Sequence, residues 1–238
     1  MKKRLKMMYS FFGIAVLLFI FQYEFVTENS WNTWNLPLTG KVIVIDPGHG
    51  GPDGGAVGQG DVLEKDIALA VSHELRDYLQ EAGALVKMTR EIDTDLAGEN
   101  VSGYSRRKTA DLKNRVKVVN ESNADLFVSV HLNAIPSSRW RGAQTFFHPS
   151  IEESERAARF IQAELKRNLN NTNRYAKAIN GIYVLKQADI PGALVEVGFL
   201  SNPEERQLLQ DKAYQNKLAA SIYEGLLRYY TDEETLEK

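Results

Sequence analysis

From Lys41 onward, short apolar runs alternate with longer stretches in which apolar residues recur every three or four positions. The runs are VIVID (Val42–Asp46), LVKM (Leu85–Met88), LFVSV (Leu126–Val130), AQTFF (Ala143–Phe147), IYVL (Ile182–Leu185) and ALVEV (Ala193–Val197). Several are almost unbroken by polar residues, which is the pattern of strands covered on both faces. The periodic stretches cover residues 64–83, 109–125, 152–169 and 213–230. In the first, Ile67, Ala70, Val71, Leu75 and Leu79 share one helical face, acidic residues open the segment and Gly83 closes it. Strand and helix in alternation predict an α/β fold: a three-layer α/β/α sandwich around a mostly parallel sheet of about six strands.

Two longer segments lack either period. Thr89–Lys108 and the stretch NNTNRYAKAINGI before the fifth run read as irregular and are candidate cleft walls. At the start, MKKRLK carries Lys2, Lys3, Arg4 and Lys6, and Met7–Gln22 follows with no charge. A basic start and an apolar run have the form of an export signal over residues 1–25. No small-x-small cleavage site follows, so an uncleaved signal anchor is expected ahead of a cleaved signal peptide. Either would place the bulk of the chain outside the cytoplasm. Residues 26–40 read as a polar linker, 41–230 as one catalytic domain and 231–238 as a frayed tail.

Composition narrows the chemistry. The formal net charge of −2 over 238 residues excludes the broadly basic surface of a nucleic-acid binder. There is no cysteine, which excludes a disulfide scaffold, a thiolate metal site, a cysteine nucleophile and a lipid-modified cysteine anchor. Any metal must therefore be held by His, Asp or Glu.

Three of the apolar runs end in polar residues: IDPGHGG, FVSVHLNA and LVEVGFLSN. Ligands of parallel α/β sheets collect at the carboxyl ends of the strands. His49, His131 and Glu196 are thus expected to converge there, and Glu64 opens the helix that follows the glycine-rich loop. Two histidines and a carboxylate suit Zn²⁺ with one position left for water. A second carboxylate beside them would take and return the water's proton. On the residues alone this is a metal-dependent hydrolase of unstated substrate; another metal hydrolase acting on free peptides and a catalytically inert binding module stand as rivals.

The blocks VIVIDPGHGGPDGGAVG, LEKDIALAV, DLFVSVHLNA and YVLKQADIPGALVEVGFLSNPEE, in that order, resemble the zinc-dependent N-acetylmuramoyl-L-alanine amidases of the amidase-3, AmiC-like type. The resemblance runs from about Lys41 to Tyr230. It implies His49, Glu64 and His131 as zinc ligands and Glu196 as the catalytic acid/base. It also points to Arg115, Asn120 and Asn133 as residues that orient substrate or brace the site, and to Arg174 as a contact for a peptide carboxylate. The short chain with an apolar start is most similar to family members that act in sporulation. That likeness implies a peptidoglycan substrate, an activating lipoprotein or membrane partner, and a muramic acid deacetylase acting next to yield the muramic-δ-lactam of spore cortex. The interval Leu132–Val195 leaves little room for the autoinhibitory helix of some relatives, so an open groove is expected.

Overall fold

A computed structural model describes residues 7, 9, 11–19 and 36–231 of the chain. Two units are distinct, Met1–Leu36 and Pro37–Lys238. In the first, residues 11–19 form a helix, α1, with exposed apolar side chains such as Phe11 and Leu17. Among the described residues no helix is long and apolar enough to cross a membrane. The expected linker up to residue 35 and the tail from 232 lie outside the described residues.

The second unit holds a six-stranded sheet in the order β4-β1-β5-β8-β6-β7. Its strands are β1 (Val42–Pro47), β4 (Leu85–Met88), β5 (Leu126–Asn133), β6 (Gln144–Phe147), β7 (Lys177–Ala178) and β8 (Gly192–Phe199). All neighbouring strands run parallel except β6 and β8, which are antiparallel. A separate two-stranded hairpin, β2 (Val57–Gly58) and β3 (Val62–Leu63), leads into α2 (Glu64–Glu81). The remaining helices are α3 (Tyr104–Asn120), α4 (Glu152–Leu169), α5 (Tyr183–Gln187), α6 (Pro203–Leu209) and α7 (Lys212–Thr231).

Successive strand residues point to opposite faces, and each face has its own core. Ile43, Ile45, Val128, Val130, Val195 and Val197 pack with α2, α4 and α7. Val44, Phe127 and Leu194 pack with Val119 of α3 and with Val184 and Leu185 of α5. The second layer is the thinner one, since α5 spans five residues. The polar residues His131 and Glu196 near the carboxyl ends of their strands lie on this thinner face, in line with Phe127 and Leu194.

The three-layer architecture and mostly parallel sheet match the sequence expectation, with one exchange of elements. IYVL does not form a strand: Tyr183–Gln187 is a helix, and Lys177–Ala178 supplies the sixth strand instead. A four-residue apolar run does not distinguish the two states. Here Val184 and Leu185 are adjacent and both buried in the same core, which a helical turn permits and an alternating strand does not. Likewise the last five residues of the expected loop Thr89–Lys108 are the first of α3. The short α6, absent from the sequence reading, starts at Pro203 with Asn202 accepting the Glu205 N–H at 3.0 Å as its cap.

Candidate metal centre

The loop after β1 carries the first histidine in an uncommon backbone conformation. His49 lies at φ 59, in the left-handed region where non-glycine residues are rare. Buried arginines hold it there. Arg90 donates to the carbonyls of Pro47 at 3.0 Å and Gly48 at 2.8 Å. Arg115 donates to the carbonyl of Pro47 at 2.6 Å and to that of His49. Three successive carbonyls of the loop are thereby fixed. Asp46 is not part of the site's open surface: its carboxylate accepts from Thr89, Ser129 and Arg115, each at 2.7 Å. Burial pushes its pKa up, but the Arg115 guanidinium and the two hydroxyls outweigh that and hold it at about 2.

Strand register assembles the rest. His131 of β5 lies opposite Glu196 of β8, which lies opposite Gln144 of β6. These residues share the face of Phe127, Leu194 and Phe146, so their side chains emerge above the thinner layer. An extra residue enters the β5–β8 ladder beyond His131, where Asn133 pairs with Phe199. Such bulges commonly re-aim strand ends beside active sites.

Glu64 sits at the first turn of α2 and folds back over the loop. Its Oε1 accepts the Leu132 N–H at 2.9 Å and its Oε2 the Ala56 N–H at 2.7 Å. The same oxygens face His131 Nδ1 at 2.9 Å and His49 Nε2 at 3.2 Å. One donor atom from each of His49, Glu64 and His131 lies within 4.8 Å of the others. The neighbouring glycines are required by space: a Cβ on Gly48 would stand 2.4 Å from the His131 ring, and one on Gly55 would stand 2.6 Å from Glu64 Oε2.

Burial lowers the pKa of His49, but Asp53 and Glu64 outweigh it and raise the ring to about 9. Glu64, although desolvated, is held well below the usual carboxylate range by the two histidines. Two imidazole nitrogens and a carboxylate around a common point are the donor set of a catalytic Zn²⁺ site. Ligation needs neutral rings, so uptake of a divalent cation at pH 7 will release about one proton from His49. Calorimetry in buffers of differing ionisation enthalpy measures this; the released proton is expected to fall away as pH rises above about 9.

Glu196 stands beside this cluster in a different state. Burial raises its carboxyl to about 7, with the histidines drawing it down and Glu64 pushing it up. Its Oε2 is buried and accepts no hydrogen bond from the described residues. An unpartnered buried carboxylate oxygen is costly, and it suits a group whose partner is a water or a substrate.

The other expected site residues sort by position. Arg115 is 2% exposed and braces the loop rather than facing the opening. Asn120 lies at the far end of α3, where its amide donates to Asp189 at 2.8 Å and to the Gln187 carbonyl at 3.1 Å. Asn133 is half-buried at the end of β5, and its carbonyl accepts the Leu200 N–H at 2.8 Å. Arg174 donates to the carbonyls of Arg141 and Gly142 at 2.5 and 2.6 Å and lies over the rings of Trp140 and Phe199. The sequence reading missed Asp53, whose Oδ2 faces His49 Nδ1 at 2.9 Å. Its signal was available: an acid four residues after a histidine in a glycine-rich turn.

Comparison with known proteins follows this geometry. A family described as N-acetylmuramoyl-L-alanine amidase matches residues 43–228. The germination-specific N-acetylmuramoyl-L-alanine amidase of Bacillus subtilis (strain 168) is 58% identical over 233 residues, covering 98% of each chain. The CwlD amidase of Clostridioides difficile, solved in complex with the GerS lipoprotein, superposes with a TM-score of 0.78 at 43% identity, covering 80% of this chain and 98% of that one. The catalytic domain of CwlV, an N-acetylmuramoyl-L-alanine amidase from Bacillus (Paenibacillus) polymyxa, gives 0.69 at 33% identity, covering 79% and 97%.

Proposed function

The chain belongs to the N-acetylmuramoyl-L-alanine amidase family and is a peptidoglycan amidase of that class, and from this premise we propose that it works as a zinc enzyme with His49, Glu64 and His131 as ligands and Glu196 as acid/base. The observation that carries the proposal is the convergence of those three donors within 4.8 Å beside a carboxylate raised to about 7. The bond cut joins the lactyl group of N-acetylmuramic acid to L-alanine. Held by His49, Glu64 and His131, a Zn²⁺ ion would supply Lewis-acid chemistry, polarising a carbonyl and making water easier to deprotonate.

The protein's own groups do the remainder. Glu196 takes a proton from the attacking water; the new C–O bond forms at the lactyl carbon. Glu196 then returns the proton to the alanine nitrogen as the C–N bond breaks, and the second water proton passes from the new carboxylic acid to the amine, leaving a carboxylate and an ammonium group. The Ala56 and Leu132 N–H groups hold Glu64 in place, and the arginine-clamped loop holds His49, so the ligands need little rearrangement on metal binding.

The cellular reading extends from the relatives. Similarity to a germination-specific amidase supports a role in spore cortex, where the stripped muramic acid would pass to a deacetylase and be cyclised to the muramic-δ-lactam. The solved complex of the related CwlD with a lipoprotein supports a lipoprotein partner here as well. The basic start and apolar segment support an extracytoplasmic enzyme that is exported, and retained by that segment if it is not cleaved.

Zinc analysis coupled to digestion of purified sacculi tests the proposal. About one zinc per chain is expected, with release of new L-alanine amino termini that a chelator abolishes and added zinc restores. Undiminished cleavage by metal-free protein, or cleavage that exposes a different amino terminus, would overturn it.

A further inference from the structure

Four donors converge on the Asp53 carboxylate, and two of them come from a helix outside every motif considered above. Asp53 Oδ2 accepts from His49 Nδ1 at 2.9 Å and from Lys108 Nζ at 3.2 Å. Its Oδ1 accepts from the Tyr104 hydroxyl at 3.0 Å and from the Gly55 N–H at 3.1 Å. The backbone beneath it is locked too, because Gly50 and Asp53 exchange N–H···O bonds of 2.9 and 3.1 Å. Tyr104 and Lys108 are one turn apart on α3 and so share a face. Tyr104 is exposed at 56% and Lys108 is half-buried, whereas Asp53 is buried at 8%.

We infer that Tyr104 and Lys108 are positioning residues that act through Asp53 on the His49 ring. The deduction rests on the zinc reading above and deepens it. His49 has two nitrogens, and Nε2 is the one that faces Glu64. For Nε2 to ligate, the remaining proton of the neutral ring must sit on Nδ1, where Asp53 receives it. A carboxylate that served only His49 could rotate about its side-chain bonds. The Tyr104 hydroxyl and Gly55 N–H on one oxygen, with Lys108 on the other, fix the carboxylate plane and therefore the ring plane. The first turn of α3 thus docks onto the metal loop through one carboxylate, and this contact couples an exposed helix end to ligand geometry.

The test uses the full chain with Tyr104→Phe, Lys108→Met and Asp53→Asn. Zinc affinity is measured by competition with a chelator, ring tautomers by ¹⁵N-resolved histidine NMR of the zinc form, and kcat and KM at saturating zinc. Asp53→Asn is expected to weaken zinc binding roughly 10- to 100-fold, the usual cost of losing a partner of a ligating histidine. The α3 variants are expected to weaken it several-fold each, and less than additively with Asp53→Asn, since they act through the same carboxylate. Wild-type His49 is expected as the Nδ1–H tautomer, with that resonance shifted or broadened in all three variants, and kcat reduced while KM is kept. Should Asp53→Asn move the melting temperature enough to obscure the result, the Tyr104→Phe and Lys108→Met variants decide alone. Unchanged zinc affinity and tautomer in those two, or a raised KM with zinc affinity intact, would overturn the inference; the latter outcome would make them substrate contacts. A wild-type protein that takes up no zinc sinks the underlying reading instead, and is told apart because it fails before any variant is compared.

Discussion

Glu196→Gln will abolish most amidase turnover while leaving zinc content unchanged. The amide has the shape of the carboxyl group but cannot take a proton from water or deliver one to the departing alanine nitrogen. Positioned acid/base groups of this kind contribute about 10²- to 10⁴-fold, and that is the expected loss in kcat. The three proposed ligands come from other elements, so metal analysis should match wild type. Stability should not fall, because the carboxylate oxygen Oε2 has no hydrogen-bond partner among the described residues; a neutral side chain there removes a buried acid that burial already penalises. The pH profile of the wild-type enzyme supplies an independent check. With Glu196 as the proposed base, the working form is the ionised one, so kcat/KM is expected to rise with pH through its pKa. Burial raises that group from 4.5 to about 7, and a bound cation draws it back down, so the acidic limb should fall between these values. A Glu196→Gln enzyme that keeps a tenth or more of its kcat would remove Glu196 from the chemistry.

How much of this could be read beforehand differs from residue to residue. His49, His131 and Glu196 were legible because each closes an apolar run, and strand order turns that sequence feature into a shared location. Glu64 was legible by position, as the acid opening the helix after the glycine-rich loop, but its assignment as a ligand came from the resemblance. An acid at the start of a helix is ordinarily just a favourable charge near the helix dipole, and nothing local tells that it reaches back to Leu132, 68 residues away. Tyr104 and Lys108 were hidden for a related reason: they lie in a stretch without apolar periodicity, and their common partner Asp53 lies 51 residues before Tyr104. IYVL was misread as a strand because a short apolar run reports burial and not geometry. Arg115 sat in a helix whose apolar positions gave its face correctly, yet its role depends on which carbonyls the β1 loop turns inward.

Arg115→Met will destabilise the fold by about 3–5 kcal/mol at pH 7, the usual cost of removing one partner from a buried ion pair. Methionine keeps much of the volume but leaves Asp46 and Asp111 without their cation, the Pro47 carbonyl with Arg90 as its remaining donor and the His49 carbonyl without the guanidinium. The cost should depend on pH in a defined direction. The folded pKa of Asp46 is depressed from 3.8 to about 2, so its contribution is fully present above 3.8 and is lost as pH falls through about 2. A shift of that size corresponds to about 2 kcal/mol. In the variant the anion is no longer favoured, so protonation relieves it, and the gap between wild type and variant should narrow by a comparable amount as pH is lowered from 7 towards 3. Adding Asp46→Asn should recover part of the loss, because the two side chains share one interaction. Urea denaturation at both pH values measures all three quantities. A penalty below about 1 kcal/mol at pH 7, or strictly additive effects of the two substitutions, would mean that the buried guanidinium is not what holds the metal loop in its left-handed turn.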